Sequence, residues 1–237
     1  MKRVYMSLII VAMYTWSASA VDYIHDESGK NIVYEGKYEN GANINPFSLT
    51  ILVTTAQKIQ DRSFDVVHYN VLKAKTSFQE RTLYYNIKPD GIYLEAIQEG
   101  KSPIAFLNDP SLELPLPATP GQKFKRVRNE DLGTSTLEFE VISVNEPLAI
   151  GDTAPETIHI RGIGTFRPKG TEQDRPLKKE IWYGKEGKLK QITIHDLPDG
   201  TQSKSQIQYV KTIDLNTTSQ SPGTSQAVEV DTPSKGN

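Results

Sequence analysis

The stretch Lys179–Tyr209, KEIWYGKEGKLKQITIHDLPDGTQSKSQIQY, decides the reading of this chain. Glu180-Ile181-Trp182-Tyr183 reads as a strand, Gly184-Lys185-Glu186-Gly187 as a tight loop, and Leu189 to Asp196 as a second strand. Leu197-Pro198-Asp199-Gly200 is a turn: Pro presets φ, Asp bonds its own backbone, and Gly accepts positive φ. Gln206-Ile207-Gln208-Tyr209 then returns as a third strand. Period-two alternation assigns Ile192 and Ile194 to the core face and Gln191, Thr193 and His195 to the wet face. Leu189 falls in phase with the polar set and is assigned to the turn.

Upstream, the same device recurs. Ile32, Tyr34 and Tyr38 begin a strand that Asn40-Gly41 breaks. Phe47, Leu49, Ile51 and Val53 alternate with Ser48, Thr50 and Thr54, and Val67, Tyr69 and Val71 alternate with His68 and Asn70. Leu83, Tyr85 and Ile87 lead into a second Pro-Asp-Gly turn at Pro89-Asp90-Gly91, from which Ile92, Leu94 and Ala96 emerge. No window carries a sustained helical stripe; Leu52 to Gln60 offers at most a short helical turn. Pro110, Pro115, Pro117 and Pro120 mark a crossover and not a central strand, because proline lacks a backbone donor. Between a domain linker and an internal connection the latter is expected, since neither half has an obvious closed sheet of its own. Leu137, Phe139 and Val141, then Ile158 and Ile160, continue the pattern, with Gly162 and Gly164 read as bulge or bend positions. The fold expected is all-β: a strongly curved antiparallel meander forming an open or partly closed barrel.

The ends of the chain are read differently. Met1–Ala20 has a basic start at Lys2 and Arg3, a short apolar run and Ala18-Ser19-Ala20, which together make a cleavable secretory signal with the mature chain starting at Val21. The apolar run is too short for a comfortable membrane span, so no integral segment is expected after cleavage. With no cysteine, neither a lipidated cysteine nor a disulfide framework is expected, and stability must come from a buried core. The chain therefore divides into residues 1–20 (signal), 21–215 (one β-rich domain) and 216–237, a disordered Ser/Thr/Pro-rich tail with too little apolar surface to offset its ordering entropy. Removing Lys2 and Arg3 takes the formal charge from −2 to −4, which gives no pull toward nucleic acid. The expected location is periplasmic or secreted.

No motif points to catalysis. The four histidines, His25, His68, His159 and His195, have no zinc-type spacing, and His68 and His195 are read as solvated or singly bonded. Nucleophile elbows, phosphate loops and dinucleotide fingerprints are absent, so no catalytic residue, cofactor or metal is assigned. Lys123, Lys125, Arg126 and Arg128 form the basic cluster, read either as contact with an anionic surface or as charges guarding an edge strand. Trp182 and Tyr183 point to opposite faces of a regular strand, so one packs inside while the other meets solvent, a neighbouring strand or a ligand. With Tyr93 and Phe124 they are the candidate ligand contacts.

Leu114-Pro115-Leu116-Pro117, Pro120-Gly121-Gln122-Lys123-Phe124 and Ile181-Trp182-Tyr183 with Gly187-Lys188-Leu189-Lys190 resemble a family of exported bacterial β-domains of unassigned function. That family carries a proline-rich step followed by an aromatic, and a late WYxxxxG hairpin. This chain departs from it in having Phe124 where Trp is usual and Gly184-Lys185-Glu186 where Pro-Gly is usual. In outline such domains are similar to the curved half-barrels that carry lipoproteins or lipids across the periplasm. The resemblance implies a non-enzymatic module that binds an apolar small molecule, lipid or acyl chain. The competing expectation is an envelope-assembly module that recruits a protein partner at exposed strand edges.

Overall fold

Alternation of apolar and polar residues becomes twelve antiparallel strands in the computed structural model, which describes residues 28–75, 77–130, 132–185, 187–197 and 199–215. The signal read at 1–20 and the tail read at 216–237 lie outside the described residues. The first half of the chain gives β1 (Lys30–Asn40), β2 (Asn43–Ile59), β3 (Arg62–Ala74), β4 (Phe78–Lys88), β5 (Gly91–Glu99) and β6 (Ala105–Pro115). The second half gives β7 (Lys123–Glu130), β8 (Gly133–Pro147), β9 (Glu156–Pro168), β10 (Arg175–Gly184), β11 (Gly187–Asp196) and β12 (Gln202–Asp214). Each half is a meander, and the halves join where β12 pairs with β1, giving the order β6-β5-β4-β3-β2-β1-β12-β11-β10-β9-β8-β7.

A sheet this wide twists and curls. Curling brings the two end strands, β6 and β7, together and makes a nearly closed barrel. The proline-rich stretch leads from β6 to β7, the two ends of the sheet, and Pro110 and Pro115 sit within β6, an end strand that tolerates proline. Leu52 to Ile59 continues β2 as a strand, with Ala56 at positive φ, and forms no helical turn. At the 197–200 turn the Asp199 carboxylate accepts the Thr201 amide at 3.0 Å, as the turn chemistry implies.

The lumen is filled at one level by Ile32, Val53, Leu94, Leu114, Phe139, Ile160 and Ile181, all almost fully buried. A second apolar cluster of Phe64, Val67, Tyr84 and Ala96, with Phe106 against it, packs separately. Gly162 and Gly164 are not bulges: they pair regularly with Phe139 and Leu137. They are glycines because β8 crowds them. A Cβ at Gly164 would stand 1.9 Å from the Thr136 carbonyl oxygen, and one at Gly162 would stand 2.7 Å from the Phe139 ring.

The face assignment of β11 inverts the sequence reading. Gln191 pairs with buried Ile181 and His195 with buried Leu177, and Thr193, on the same face, is itself buried. Ile192 and Ile194 line a groove with Arg161, Ile163 and Lys178 on the outer wall. The cause is a bulge: Trp182 pairs with Lys190 but Tyr183 pairs with Lys188, so Leu189 is the extra residue and the phase slips there. Leu189 was the visible sign of it.

This register is tested by paired substitutions. Ile181→Asp should cost several kcal/mol, of the order expected for a buried carboxylate without a partner, whereas Ile192→Asp should cost about 1 kcal/mol or less. Comparable losses in denaturant melts of the two variants would refute the face assignment.

Candidate functional site

The bulge at Leu189 is one of several that lie close to lumen-facing polar residues. Val33 pairs with Lys211 while Tyr34 pairs with Tyr209, leaving Val210 extra. Tyr84 pairs with Ala96 while Tyr85 pairs with Leu94, leaving Glu95 extra. Ile92 pairs with Leu114 while Tyr93 pairs with Leu112, leaving Glu113 extra. Next to these shifts stand Tyr34, Tyr85, Glu113, Tyr183 and Lys188, and all five line one partly enclosed cavity. Bulges re-aim side chains beside functional sites, and here they turn polar groups into an otherwise apolar lumen.

At the seam, Arg126 of β7 donates from Nε to the Leu112 carbonyl at 3.2 Å and from Nη2 to the Glu113 carbonyl at 2.5 Å. Its Nη1 lies 3.5 Å from the Glu113 carboxylate, and its guanidinium sits 4.2 Å over the Phe139 ring. Arg128 binds the other Glu113 oxygen, and the Ser111 hydroxyl donates to that same oxygen at 3.4 Å. Glu113 is 5% exposed and Arg126 is 4% exposed, so this pair is a buried clasp between the end strands. Burial alone would raise the Glu113 pKa, but the charges of Arg126 and Arg128 and the hydrogen bond from Arg128 override it and hold the carboxyl down at about 2.

Lys188 comes from the other side of the lumen. Its Nζ donates to the Gln191 side-chain oxygen at 3.1 Å, and its backbone carbonyl accepts the Tyr34 hydroxyl at 2.7 Å. Burial pushes the ammonium down, Glu113 opposes, and Arg128 and Arg126 reinforce, to about 8. Burial also raises the phenols of Tyr34 and Tyr85, and pushes Tyr183 up to about 12. All three therefore remain neutral hydrogen-bond donors. His68 is buried edge-on against Tyr85, with ring centroids 5.1 Å apart, rather than solvated, and Asn70 lines the same cavity.

The candidates from the sequence are split by the barrel wall. Tyr183 faces the cavity, and Phe124 stacks on Phe139 inside at 5.3 Å. Trp182 is on the outer wall, stacked on His159 at 4.3 Å with the Lys190 ammonium 5.0 Å from its ring, so it forms a cross-strand packing unit. Tyr93 is also outside, donating to Asp90 at 2.9 Å beneath Lys88. Lys123 and Lys125 are exposed, but Arg126 and Arg128 turn inward onto Glu113 and cannot reach an external anionic surface. Glu113, Lys188, Tyr34, Tyr85 and Asn70 escaped the sequence reading. The available signal was an acid inside the apolar run Leu112-Glu113-Leu114-Pro115-Leu116.

Among the described residues, no group of His, Cys, Asp or Glu is arranged to hold a metal ion. The belt offers fixed charges, neutral phenols and an apolar wall, with no nucleophile set against a base. No helix among the described residues is long and apolar enough to cross a membrane.

No protein-family model matches the chain, and no curated protein matches it. Two of the solved structures to which the chain is similar illustrate the range of the likeness. One is of a candidate lipoprotein from Parabacteroides distasonis ATCC 8503, at 10% identity and a TM-score of 0.48, covering 82% of this chain and 100% of that one. The other is of a candidate exported protein with a YmcC-like fold from Bacteroides fragilis NCTC 9343, at 11% identity and a TM-score of 0.45, covering 80% of this chain and 99% of that one.

The clasp has a pH signature. Because the folded Glu113 pKa lies below its ordinary value of 4.5, the stability it contributes is complete above that pH and is lost as the pH falls toward about 2. The expected loss is about 3 kcal/mol on full protonation. Glu113→Gln should destabilise at neutral pH by stranding two arginines, and should flatten the stability profile in that acid window. Urea midpoints measured across the window check this, and a variant retaining the wild-type slope would refute the pairing.

Proposed function

We propose that this chain is a non-enzymatic, exported binding module that holds an apolar small molecule inside its barrel. One observation carries the reading: a cavity of about 80 Å³ within the lumen, walled by Leu49, Ile51, Leu83, Ile92 and Ile207 and edged by the polar belt. Small-molecule sites have this constitution, an apolar wall with a few fixed polar groups. The exported location rests on the leader read at residues 1–20.

The cavity is smaller than drug-sized sites, which span several hundred Å³. It suits a compact molecule. A long acyl chain would also need the vestibule of about 560 Å³ bounded by Ile150, Pro155, Leu189 and Tyr209. Tyr209 meets Tyr34 edge-on at 6.1 Å, so that one aromatic pair stands in the walls of both spaces. Recruitment of a partner strand has less support, because β6 and β7, the two free edges, face each other across the Arg126 clasp.

Propanol, a neutral probe small enough for that space, should produce saturable shifts in the methyl NMR signals of Leu49, Ile51, Leu83 and Ile92. Ile207→Phe, which fills the space, should abolish them while retaining the fold. Native mass spectrometry of protein from its own host should show a small bound mass. Wild-type protein that gives neither shifts nor adduct would overturn the reading.

A further inference from the structure

Resting on the lumen-binding reading, we infer that the ligand is a compact monocarboxylate, with its carboxylate received by Lys188 and its alkyl body against the apolar wall.

Arg126, Arg128 and Lys188 bring three cations into the lumen region, and among the described residues Glu113 is the carboxylate that lines the cavity. Glu113 is committed to the arginines: one oxygen faces Arg126 and the other binds Arg128. Arg126 is further committed to the carbonyls that close the seam. Lys188 touches only a neutral amide oxygen, that of Gln191, among the described residues, and two of its three ammonium donors have no partner there. The remaining titratable groups facing this space, Tyr34 on β1, His68 on β3, Tyr85 on β4 and Tyr183 on β10, supply no fixed negative charge at neutral pH.

The Lys188 ammonium is half-buried, feels Glu113 only at a distance, and keeps donors directed to the cavity that a ligand oxygen can take. Nothing in the packing requires a lysine there. The bulge at Leu189 turns Lys188 inward, while Lys190 points to the outer wall over Trp182. Asn70 gives a second, independent pointer from β3: its Oδ1 is buried without a hydrogen-bond partner on the cavity wall. The two oxygens of a carboxylate can take Lys188 on one side and a donor of the rotated Asn70 amide on the other. A carboxylate also matches the size available, which a phosphate monoester with an alkyl body would strain.

The test separates head from tail. Butyrate, hexanoate and octanoate, with the alcohols of equal length, are titrated by NMR into wild type and into Lys188→Met. Wild type should bind the best-fitting acid at least tenfold tighter than its alcohol, and Lys188→Met should erase that difference while leaving alcohol binding intact. The variant should melt close to wild type, because the Lys188 ammonium contacts only Gln191 of its own strand among the described residues. Lys188→Arg, which restores a cation in a different shape, should recover part of the preference. Equal binding of acid and alcohol by wild type, or an acid preference that survives in Lys188→Met, would overturn the inference while leaving the lumen reading standing. Binding of neither class would overturn both.

Discussion

A twelve-stranded curl must end somewhere, and here it ends on one guanidinium. No backbone ladder joins β6 to β7, the two ends of the sheet, so side chains meet part of the seam. Arg126 takes two β6 carbonyls directly, those of Leu112 and Glu113. A planar, rigid donor set suits this task, because two hydrogen bonds are made at little further entropic cost. The arginine must itself be neutralised in a buried place. Glu113 does that, and being the extra residue of a bulge it points inward without interrupting the run of Leu114 and Leu116. Closure, charge and bulge are therefore one device.

Much of the fold was legible in the residues. The turns at Asp90-Gly91 and Asp199-Gly200, the hairpin that joins β10 to β11, the single continuous meander around it and the opposite facing of Trp182 and Tyr183 follow from turn chemistry and period two. Face assignment was not legible wherever a bulge intervenes. A period-two reading assumes one residue per step, and each bulge adds a step that composition does not announce. Lys188 and Lys190 look alike in sequence yet lie on opposite sides of the wall. The same slip carried Ile192 and Ile194 outward.

The site was harder to read than the fold for a related reason. Sequence reasoning looked for aromatics and clustered charge, and both occur on the outer wall as well as the inner one. Trp182, the most conspicuous residue in the chain, packs between His159 and Lys190 outside. Lys123-Phe124-Lys125-Arg126-Val127-Arg128 reads as one patch, but strand alternation sends its lysines to solvent and its arginines into the lumen. The residues that meet in the cavity come from β1 to β6 and from β10, β11 and β12, and only barrel closure brings them together.

The two sides of the belt have different chemical characters, and the difference bears on what the barrel can do. On the seam side, charge is balanced and hydrogen bonds are spent on holding strands together, so the group there is structural. Across the lumen, Lys188 is held by its backbone, whose carbonyl anchors the Tyr34 hydroxyl, while its ammonium keeps donors to spare. A folded chain optimised only for stability would place an apolar residue at that position, since a buried cation weakens the native state and a methionine fills similar space. The cost is tolerable because the clasp and the apolar filling around Phe139 and Ile160 fix the wall independently of Lys188. The residues that close the seam and the residue that keeps donors to spare are thus separate members of one belt.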